Sequence, residues 1–251
     1  MTMIYDDQGT GTPVLLIHGL GGTGNVWGGC VTSLSRHFRT LCPDLIGSGR
    51  TPPEGTITTS SLVRELLSFM DEQALERVHL VGHSYGSVLA QHLAVTNPAR
   101  VRSLSLIGPI QAPAQAARKA IAERAAKARS EGMAGIATAT VQVGTSALTK
   151  ANRPEVAAFV RELVMRQDPH GYAATCDAIA GTEPAKLESL SCPTLVITGD
   201  EDATSPPPLA KELADKIPNA RFHVIAGCGH WTPLEHTRSV TEHLFNFLIS
   251  N

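Results

Sequence analysis

The sequence predicts an α/β fold in which helices cover both faces of a mostly parallel sheet of about seven strands. Two observations lead to this prediction. Short segments that are apolar on both faces alternate with longer segments of helical apolar spacing, and this alternation stops once, over residues 111–183. Strands that are apolar on both faces are typical of a parallel sheet buried between two layers of helices. The interruption predicts a helical insertion into that architecture.

The alternating segments give the predicted strands and helices in chain order. The apolar segments predict strands over Val14–Ile17, Thr40–Cys42, Val78–Val81, Leu104–Ile107, Thr194–Thr198 and Phe222–Ile225. The helical spacing predicts helices over residues 26–36, 60–73, 85–96 and 236–249.

The interrupting stretch has helical spacing throughout. Val156 and Val160 recur at a helical interval, and Pro154 and Pro169 occupy positions that suit the first turn of a helix. A helical insertion in an α/β sheet fits a cap, or lid, over a site, although helices that simply pack as core would give the same pattern. We therefore predict two units: an α/β core of residues 1–110 and 184–251, and a helical cap of residues 111–183.

Composition and charge narrow the function classes. The formal net charge is −2 and the chain has no basic run, which argues against a nucleic-acid partner. No stretch reaches the roughly 18 apolar residues that cross a bilayer. The first residues have neither the basic flank nor the apolar segment of a secretory signal. We expect a cytoplasmic monomer or homodimer that acts on a small molecule, with no membrane partner.

The five cysteines point to neither a disulfide framework nor a metal site. Their number is odd and no two form a C-x-x-C pair. Most are expected to be small buried thiols. Cys228 stands apart because it lies two residues before His230.

A glycine-rich loop follows the first predicted strand, within the stretch VLLIHGLGGTGNVW. The spacing of Gly19, Gly21 and Gly24, with Asp44 twenty residues further on, matches a dinucleotide-binding fingerprint. That fingerprint needs a helix to begin within the glycines, whereas here the chain stays glycine-rich for eleven residues, which favours a loop. We therefore expect no cofactor and interpret Asp44 as a turn-forming residue.

The most informative motif is Gly82-His83-Ser84-Tyr85-Gly86. It lies between a predicted strand and a predicted helix, which is the context of a G-x-S-x-G nucleophile elbow. The glycines on either side of the serine let the backbones pass in a sharp turn. A helix N-cap serine would look similar locally.

A nucleophilic serine needs an imidazole as base and a carboxylate to orient that imidazole. His230 fits the base: of the ten histidines it alone combines a loop, a strand end and the chain order serine, acid, histidine. Asp202 follows a predicted strand and fits the acid, with Asp200 and Glu201 as alternatives. The carboxyl ends of parallel strands are where α/β folds place their sites.

Several stretches together resemble the α/β-hydrolase family over nearly the whole chain: HGLGG, DLIGSGRT, GHSYGS, GDEDATSP and GCGHWTPLE. The resemblance implies the α/β-hydrolase fold, with Asp202 as the acid and His230 as the base. It also implies that the backbone N–H groups of Leu20 and Tyr85 form an oxyanion hole.

The insertion and the segment after it look like the 3-oxoadipate enol-lactonase branch of this family, through EGMAGIA, RQDPHGYAATCDAIA and LESLSCPTLVITGDEDATSPP. The chain departs from that branch in two places. Its elbow carries His83 and Tyr85 where the branch often has Leu or Cys and then Met. Its first segment, MIYDDQGTG, looks like the second strand of the family, so the usual first strand is nearly absent.

The expected function is that of a serine hydrolase for a small carboxylic ester or lactone, acting through an acyl-enzyme. Trp27, Tyr172 and Trp231 are candidates for the substrate pocket, and each fits the core equally well. Arg161 or Arg166 is the candidate partner if the substrate carries a carboxylate, although a solvated helix face fits both arginines better. C–C bond hydrolysis, cofactor-free haloperoxidase (perhydrolase) activity and a slow-turnover small-molecule receptor are the alternatives on the same fold.

Overall fold

A computed structural model describes residues 3–251, so the first two residues of the predicted core lie outside the described part. The strands of this part are β1 (Tyr5–Gln8), β2 (Pro13–Ile17), β3 (Arg39–Pro43), β4 (Val78–His83), β5 (Val101–Ile107), β6 (Thr194–Gly199) and β7 (Arg221–Ile225). The helices are α1 (Gly28–Leu34), α2 (Thr59–Glu72), α3 (Tyr85–Thr96), α4 (Gln115–Glu131), α5 (Ala134–Gly144), α6 (Ala147–Asn152), α7 (Pro154–Met165), α8 (Pro169–Ala180), α9 (Pro207–Asp215), α10 (Thr232–Glu235) and α11 (Thr237–Leu248).

The seven strands form one sheet in the order β1-β3-β2-β4-β5-β6-β7. All neighbouring strands run parallel except β1, which pairs with β3 in the antiparallel direction. Every residue of the central strand β4 is buried, as expected for a strand covered on both faces. The predicted fold class is therefore confirmed, and β1 occupies the place that the family resemblance gave to MIYDDQGTG.

The largest differences from the predicted strands and helices have local causes. Strand β5 begins three residues earlier than predicted because the hydroxyl of Ser103 makes a 2.8 Å hydrogen bond to His79 Nδ1 inside the sheet, so a polar residue is accommodated there. The last predicted helix, 236–249, corresponds to α11, and the short helix α10 before it was not predicted. The two are separated at His236, whose backbone leaves the helical region and whose Nε2 lies 3.1 Å from the carbonyl of Gly227.

The sheet separates two layers of apolar side chains. Successive residues of β2 point to opposite faces: Leu16 packs in the layer beneath α1 and α11, and Leu15 in the layer beneath α2 and α3. Buried residues of the inserted helices belong to both layers: Val160 and Cys176 to the first and Ile179 to the second. The inserted helices therefore extend the apolar core of both layers.

Five helices, α4 to α8, lie between β5 and β6. Helix α4 packs on α8, and α5 packs on α7. Pro154 and Pro169 occupy the first positions of α7 and α8, where the missing N–H of proline costs no helical hydrogen bond. This segment covers the carboxyl ends of the strands, and the limits 111–183 stay a prediction. None of the helices within residues 3–251 is long and apolar enough to cross a membrane.

Candidate active site

Ser84 lies in a strained turn between β4 and α3. Its φ of 53° and ψ of −121° lie in a region that non-glycine residues rarely adopt. A Cβ on Gly86 would lie 2.3 Å from the carbonyl oxygen of Ile17, and one on Gly82 would lie 2.4 Å from the carbonyl oxygen of Gly86. Only glycine fits at these two positions, which explains the spacing of the motif.

Ser84, His230 and Asp202 form a continuous hydrogen-bonded chain. Ser84 Oγ lies 2.8 Å from His230 Nε2, and His230 Nδ1 lies 2.8 Å from Asp202 Oδ2. Asp202 is 2% exposed and His230 is 9% exposed. A buried carboxylate that orients an imidazole beside a serine hydroxyl is the arrangement that makes the hydroxyl a nucleophile.

The surroundings of Asp202 favour its ionised form. Burial raises the pKa of this carboxyl, but the interaction with His230 and the hydrogen bonds donated to Asp202 outweigh burial, so that the pKa lies below its ordinary value. The backbone N–H groups of Thr204 and Ser205 donate to Oδ1 at 2.8 Å and 2.7 Å. The Asp202 carboxylate therefore stays an acceptor for His230 at neutral pH.

The two alternative acids point elsewhere. Asp200 Oδ1 accepts a 3.1 Å hydrogen bond from the N–H of Cys228. Glu201 Oε2 accepts a 2.8 Å hydrogen bond from the N–H of Ala147, at the start of α6. Among the three neighbouring acids, the hydrogen bond to the ring of His230 is made by Asp202.

His83 holds the backbone of His230 in place. Its Nε2 donates a 2.7 Å hydrogen bond to the backbone carbonyl of His230. Burial, and next the proximity of His230, lower the pKa of His83 to about 3, so its ring is neutral. The histidine within the elbow therefore ties the serine turn to the loop that carries the predicted base.

Leu20 and Tyr85, the predicted oxyanion-hole residues, lie close to Ser84. Both residues line the same cavity as Ser84, and within residues 3–251 neither backbone N–H has a protein acceptor. Gly19 brings the loop close, since a Cβ there would lie 2.6 Å from Ser84 Cβ. The Tyr85 hydroxyl points away, to Thr59 Oγ1 at 2.9 Å. Two unpartnered N–H groups at a nucleophile are the elements of an oxyanion hole.

The glycine loop does not have the geometry of a dinucleotide site. Asp44 is 1% exposed, and its Oδ1 accepts the N–H of Gly24 at 2.8 Å while its Oδ2 accepts Arg50 Nε at 2.8 Å. A carboxylate already satisfied by the chain and removed from solvent is not available to a ribose hydroxyl. Asp44 instead joins two loops, which agrees with its interpretation as a turn residue.

A cavity of about 600 Å³ opens above Ser84 and His230. The inserted helices form most of its wall, with Ala120 and Ile121 from α4 and Ile136 from α5. Volumes of this size are typical of small-molecule sites.

Tyr172 and Trp231 line this cavity, as expected for pocket residues, but Trp27 does not. The indole of Trp27 is fully buried and meets the ring of His83 edge-on, with 6.4 Å between centroids. Trp27 is therefore not a pocket residue. It packs in the core against His83 of the nucleophile elbow. An aromatic residue near a glycine loop cannot be assigned to a cavity or to the core from sequence alone.

Arg161 and Arg166 do not line the cavity. Both are exposed and lie near Glu162, at 3.8 Å and 3.7 Å, which agrees with a solvated helix face. Lys127 of α4 lines the cavity, and so does Arg124. Its spacing from Ala117, Ala120 and Ile121 places it on one face of the helix, a pattern that is present in the sequence but is masked by the many alanines of α4.

Cys228, two residues before His230 in the sequence, is fully buried. Burial, followed by the nearby Glu235 carboxylate, raises the pKa of its thiol well above the usual range. The thiol is therefore un-ionised and unreactive at neutral pH. Residues 3–251 contain no cluster of side chains able to hold a metal ion.

Replacing Gly86 by alanine should destabilise the protein. The new Cβ would lie 2.3 Å from Ile17 O and 2.5 Å from His18 O, both backbone atoms that cannot rotate away. Overpacking of this kind costs about 1–3 kcal/mol. Urea unfolding of Gly86→Ala, with Gly28→Ala as control, measures the effect. Gly28 has no neighbour within 4 Å of the added Cβ, so the control should stay within about 1 kcal/mol of the wild type. Equal stability of the two variants would contradict the account of the turn.

Comparison with known proteins shows which family this chain resembles. The model of the alpha/beta hydrolase family matches residues 14–242. The 2-hydroxymuconate semialdehyde hydrolase of Pseudomonas putida is 31% identical, over 96% of this chain and 89% of that protein.

Two solved structures are similar over almost their whole length. A thermophilic esterase from Thermogutta terrifontis is 30% identical with a TM-score of 0.95, covering 99% of this chain and 93% of the esterase chain. The enol-lactonase from Burkholderia xenovorans LB400 is 28% identical with a TM-score of 0.92, covering 98% of this chain and 96% of the lactonase chain. The chain belongs to the alpha/beta hydrolase family.

Proposed function

We propose that this protein is a serine hydrolase that cleaves small carboxylic esters or lactones through an acyl-enzyme. The observation that carries the proposal is the hydrogen-bonded chain from Ser84 through His230 to Asp202, which ends at the floor of the cavity. The similarity to an esterase and to an enol-lactonase supports this choice of substrate.

In the proposed mechanism Ser84 Oγ attacks the substrate carbonyl carbon while His230 Nε2 takes the hydroxyl proton. Asp202 holds the imidazole in the required tautomer and stabilises the imidazolium. The N–H groups of Leu20 and Tyr85 donate to the oxyanion. Removal of one such donor in other enzymes has cost about 10²–10³ in rate.

Collapse of this tetrahedral intermediate breaks the bond to the leaving oxygen, which receives the proton from His230. The Ser84 ester is then hydrolysed by a water molecule that gives its proton to His230 Nε2, and the acid product leaves with the serine restored. Each step uses the hydrogen bonds already present between the three side chains. The inserted helices, as a cap, exclude bulk water from the cavity in which the charges develop.

C–C bond hydrolysis is the second candidate. It is favoured by the 31% identity to 2-hydroxymuconate semialdehyde hydrolase, and the same three side chains would serve it. Perhydrolase activity and a receptor that turns over slowly stay as predictions of the sequence. The substrate that is turned over fastest distinguishes these functions.

The cavity also indicates what kind of ester is preferred. Three charged residues of α4 line the cavity: Arg124, Lys127 and Glu123. Lys127 lies 3.7 Å from Glu131, and Glu123 lies 4.0 Å from Lys119. No carboxylate of residues 3–251 lies within 4 Å of the Arg124 guanidinium. A guanidinium without an acidic partner can bind a substrate carboxylate through two parallel hydrogen bonds. Esters or lactones that carry a free carboxylate are therefore the proposed substrate class.

Ser84→Ala should abolish hydrolysis of p-nitrophenyl butyrate because no other group can form the acyl-enzyme. Loss of a triad serine has cost about 10⁶-fold in kcat elsewhere. The matched control is Ser105→Ala, a buried serine of β5 whose hydroxyl has no partner within the described chain; it should keep wild-type activity.

The wild type is assayed beside these variants on short-chain esters, lactones and a 2-hydroxy-6-oxo-dienoate. A higher kcat/KM on esters or lactones supports the proposal. A higher kcat/KM on the dienoate would instead identify the protein as a C–C bond hydrolase. A single turnover followed by arrest identifies a receptor. Undiminished hydrolysis by folded Ser84→Ala would contradict the mechanism.

Arg124→Gln should weaken binding of acidic esters selectively. A hydrogen bond to a charged group is worth about 1.5–3 kcal/mol, so KM for mono-p-nitrophenyl adipate should rise about tenfold or more. KM for p-nitrophenyl hexanoate should stay within about twofold, because its chain end is neutral. Arg166→Gln, an exposed cap arginine outside the cavity, should change neither value. An equal rise for both esters would show that Arg124 does not bind the carboxylate.

A further inference from the structure

Glu235, at the end of α10, is a buried carboxylate that the proposed mechanism does not use. It is 1% exposed and accepts four hydrogen bonds. Its Oε2 accepts the N–H of Ser146 at 2.8 Å, the hydroxyl of Thr149 at 2.8 Å and the N–H of Gly229 at 3.2 Å. Its Oε1 accepts the N–H of Trp231 at 3.1 Å. Every partner of the carboxylate is a donor.

The four donors come from two separate parts of the chain. Gly229 and Trp231 are the residues on either side of His230, whereas Ser146 and Thr149 belong to the inserted helical segment, at α6. One carboxylate therefore joins the loop of the proposed base to the cap.

The same cap segment holds His230 itself. The N–H of His230 donates to the carbonyl of Gly144 at 2.8 Å. A Cβ on Gly229 would lie 2.7 Å from the nitrogen of Ser146 and 2.8 Å from Glu235 Oε1, so the loop and the cap are in direct contact. The loop of the proposed acid meets this segment too, through the 2.8 Å hydrogen bond from Ala147 N–H to Glu201.

We propose that Glu235 is a positioning residue for His230: it fixes the backbone on both sides of the imidazole by binding that loop to cap residues 144–149. This inference rests on the proposed function, since it concerns the same triad. It also implies that residues 144–149 stay in place as part of the catalytic framework, while any opening of the cap takes place elsewhere. Displacing this segment would break the hydrogen bond made by the N–H of His230.

The isosteric variant Glu235→Gln tests this role. An amide has one acceptor oxygen, and its NH₂ group would face an N–H donor whichever way it is turned. Because misplacement of a catalytic group by about 1 Å can cost about 10²-fold in rate, we expect kcat for p-nitrophenyl butyrate to fall about 100-fold while KM changes less than about threefold. The downfield proton resonance of the His230 Nδ1–H···Asp202 hydrogen bond should broaden or disappear in the same variant.

Two controls separate positioning from loss of stability. Leu66→Ala truncates a fully buried side chain of α2 away from the cavity; it should lower stability yet keep the kcat of the folded fraction and the downfield resonance. Glu242→Gln makes the same chemical change at an exposed ion pair of α11 and should have no effect. If Glu235→Gln does not fold, Thr149→Val removes one of the four donors and should lower kcat several-fold.

The outcomes distinguish the two proposals. A wild type that hydrolyses none of the esters overturns the proposed function, and the resonance of the His230–Asp202 hydrogen bond then still tests the role of Glu235. Wild-type kcat and an intact resonance in Glu235→Gln, or in Thr149→Val where that variant replaces it, would overturn the positioning role.

Discussion

The close backbone approach at Ser84 is the constraint on which the rest of the site depends. The turn brings Gly86 against the end of β2 and Gly19 against Ser84, so that any side chain at these glycines would collide with its neighbours. These close approaches fix the turn, so the strained φ of Ser84 is maintained. The Oγ atom stays free to meet His230.

Parallel strands explain why distant residues meet at this turn. The carboxyl ends of β4, β6 and β7 lie at one edge of the sheet, and each is followed by a loop that carries one of the three hydrogen-bonded side chains. Ser84 and His230 are 146 residues apart in sequence and 2.8 Å apart in space. The inserted helices close over the same edge and give the site its cavity.

Features set by local sequence could be predicted, and those set by tertiary contact could not. The elbow is a local pattern of glycines around a serine, and Asp202 and His230 each follow an apolar strand, so their neighbourhood was predictable from order and spacing. Trp27 was misplaced because its side chain could face either the cavity or the core, and only packing against His83 decides. Glu235 went unnoticed because its four donors come from segments up to 89 residues away. Arg124 was missed because the choice among the arginines of the insertion depends on how α4 packs on α8.

The most direct test of the central claim, that Ser84 is an activated nucleophile, is mass spectrometry of the protein after reaction with a fluorophosphonate. The account predicts one covalent adduct, on the peptide that contains Ser84, because His230 and Asp202 activate this hydroxyl alone. An adduct on a different peptide, or no adduct on a protein that is folded by circular dichroism, would contradict it.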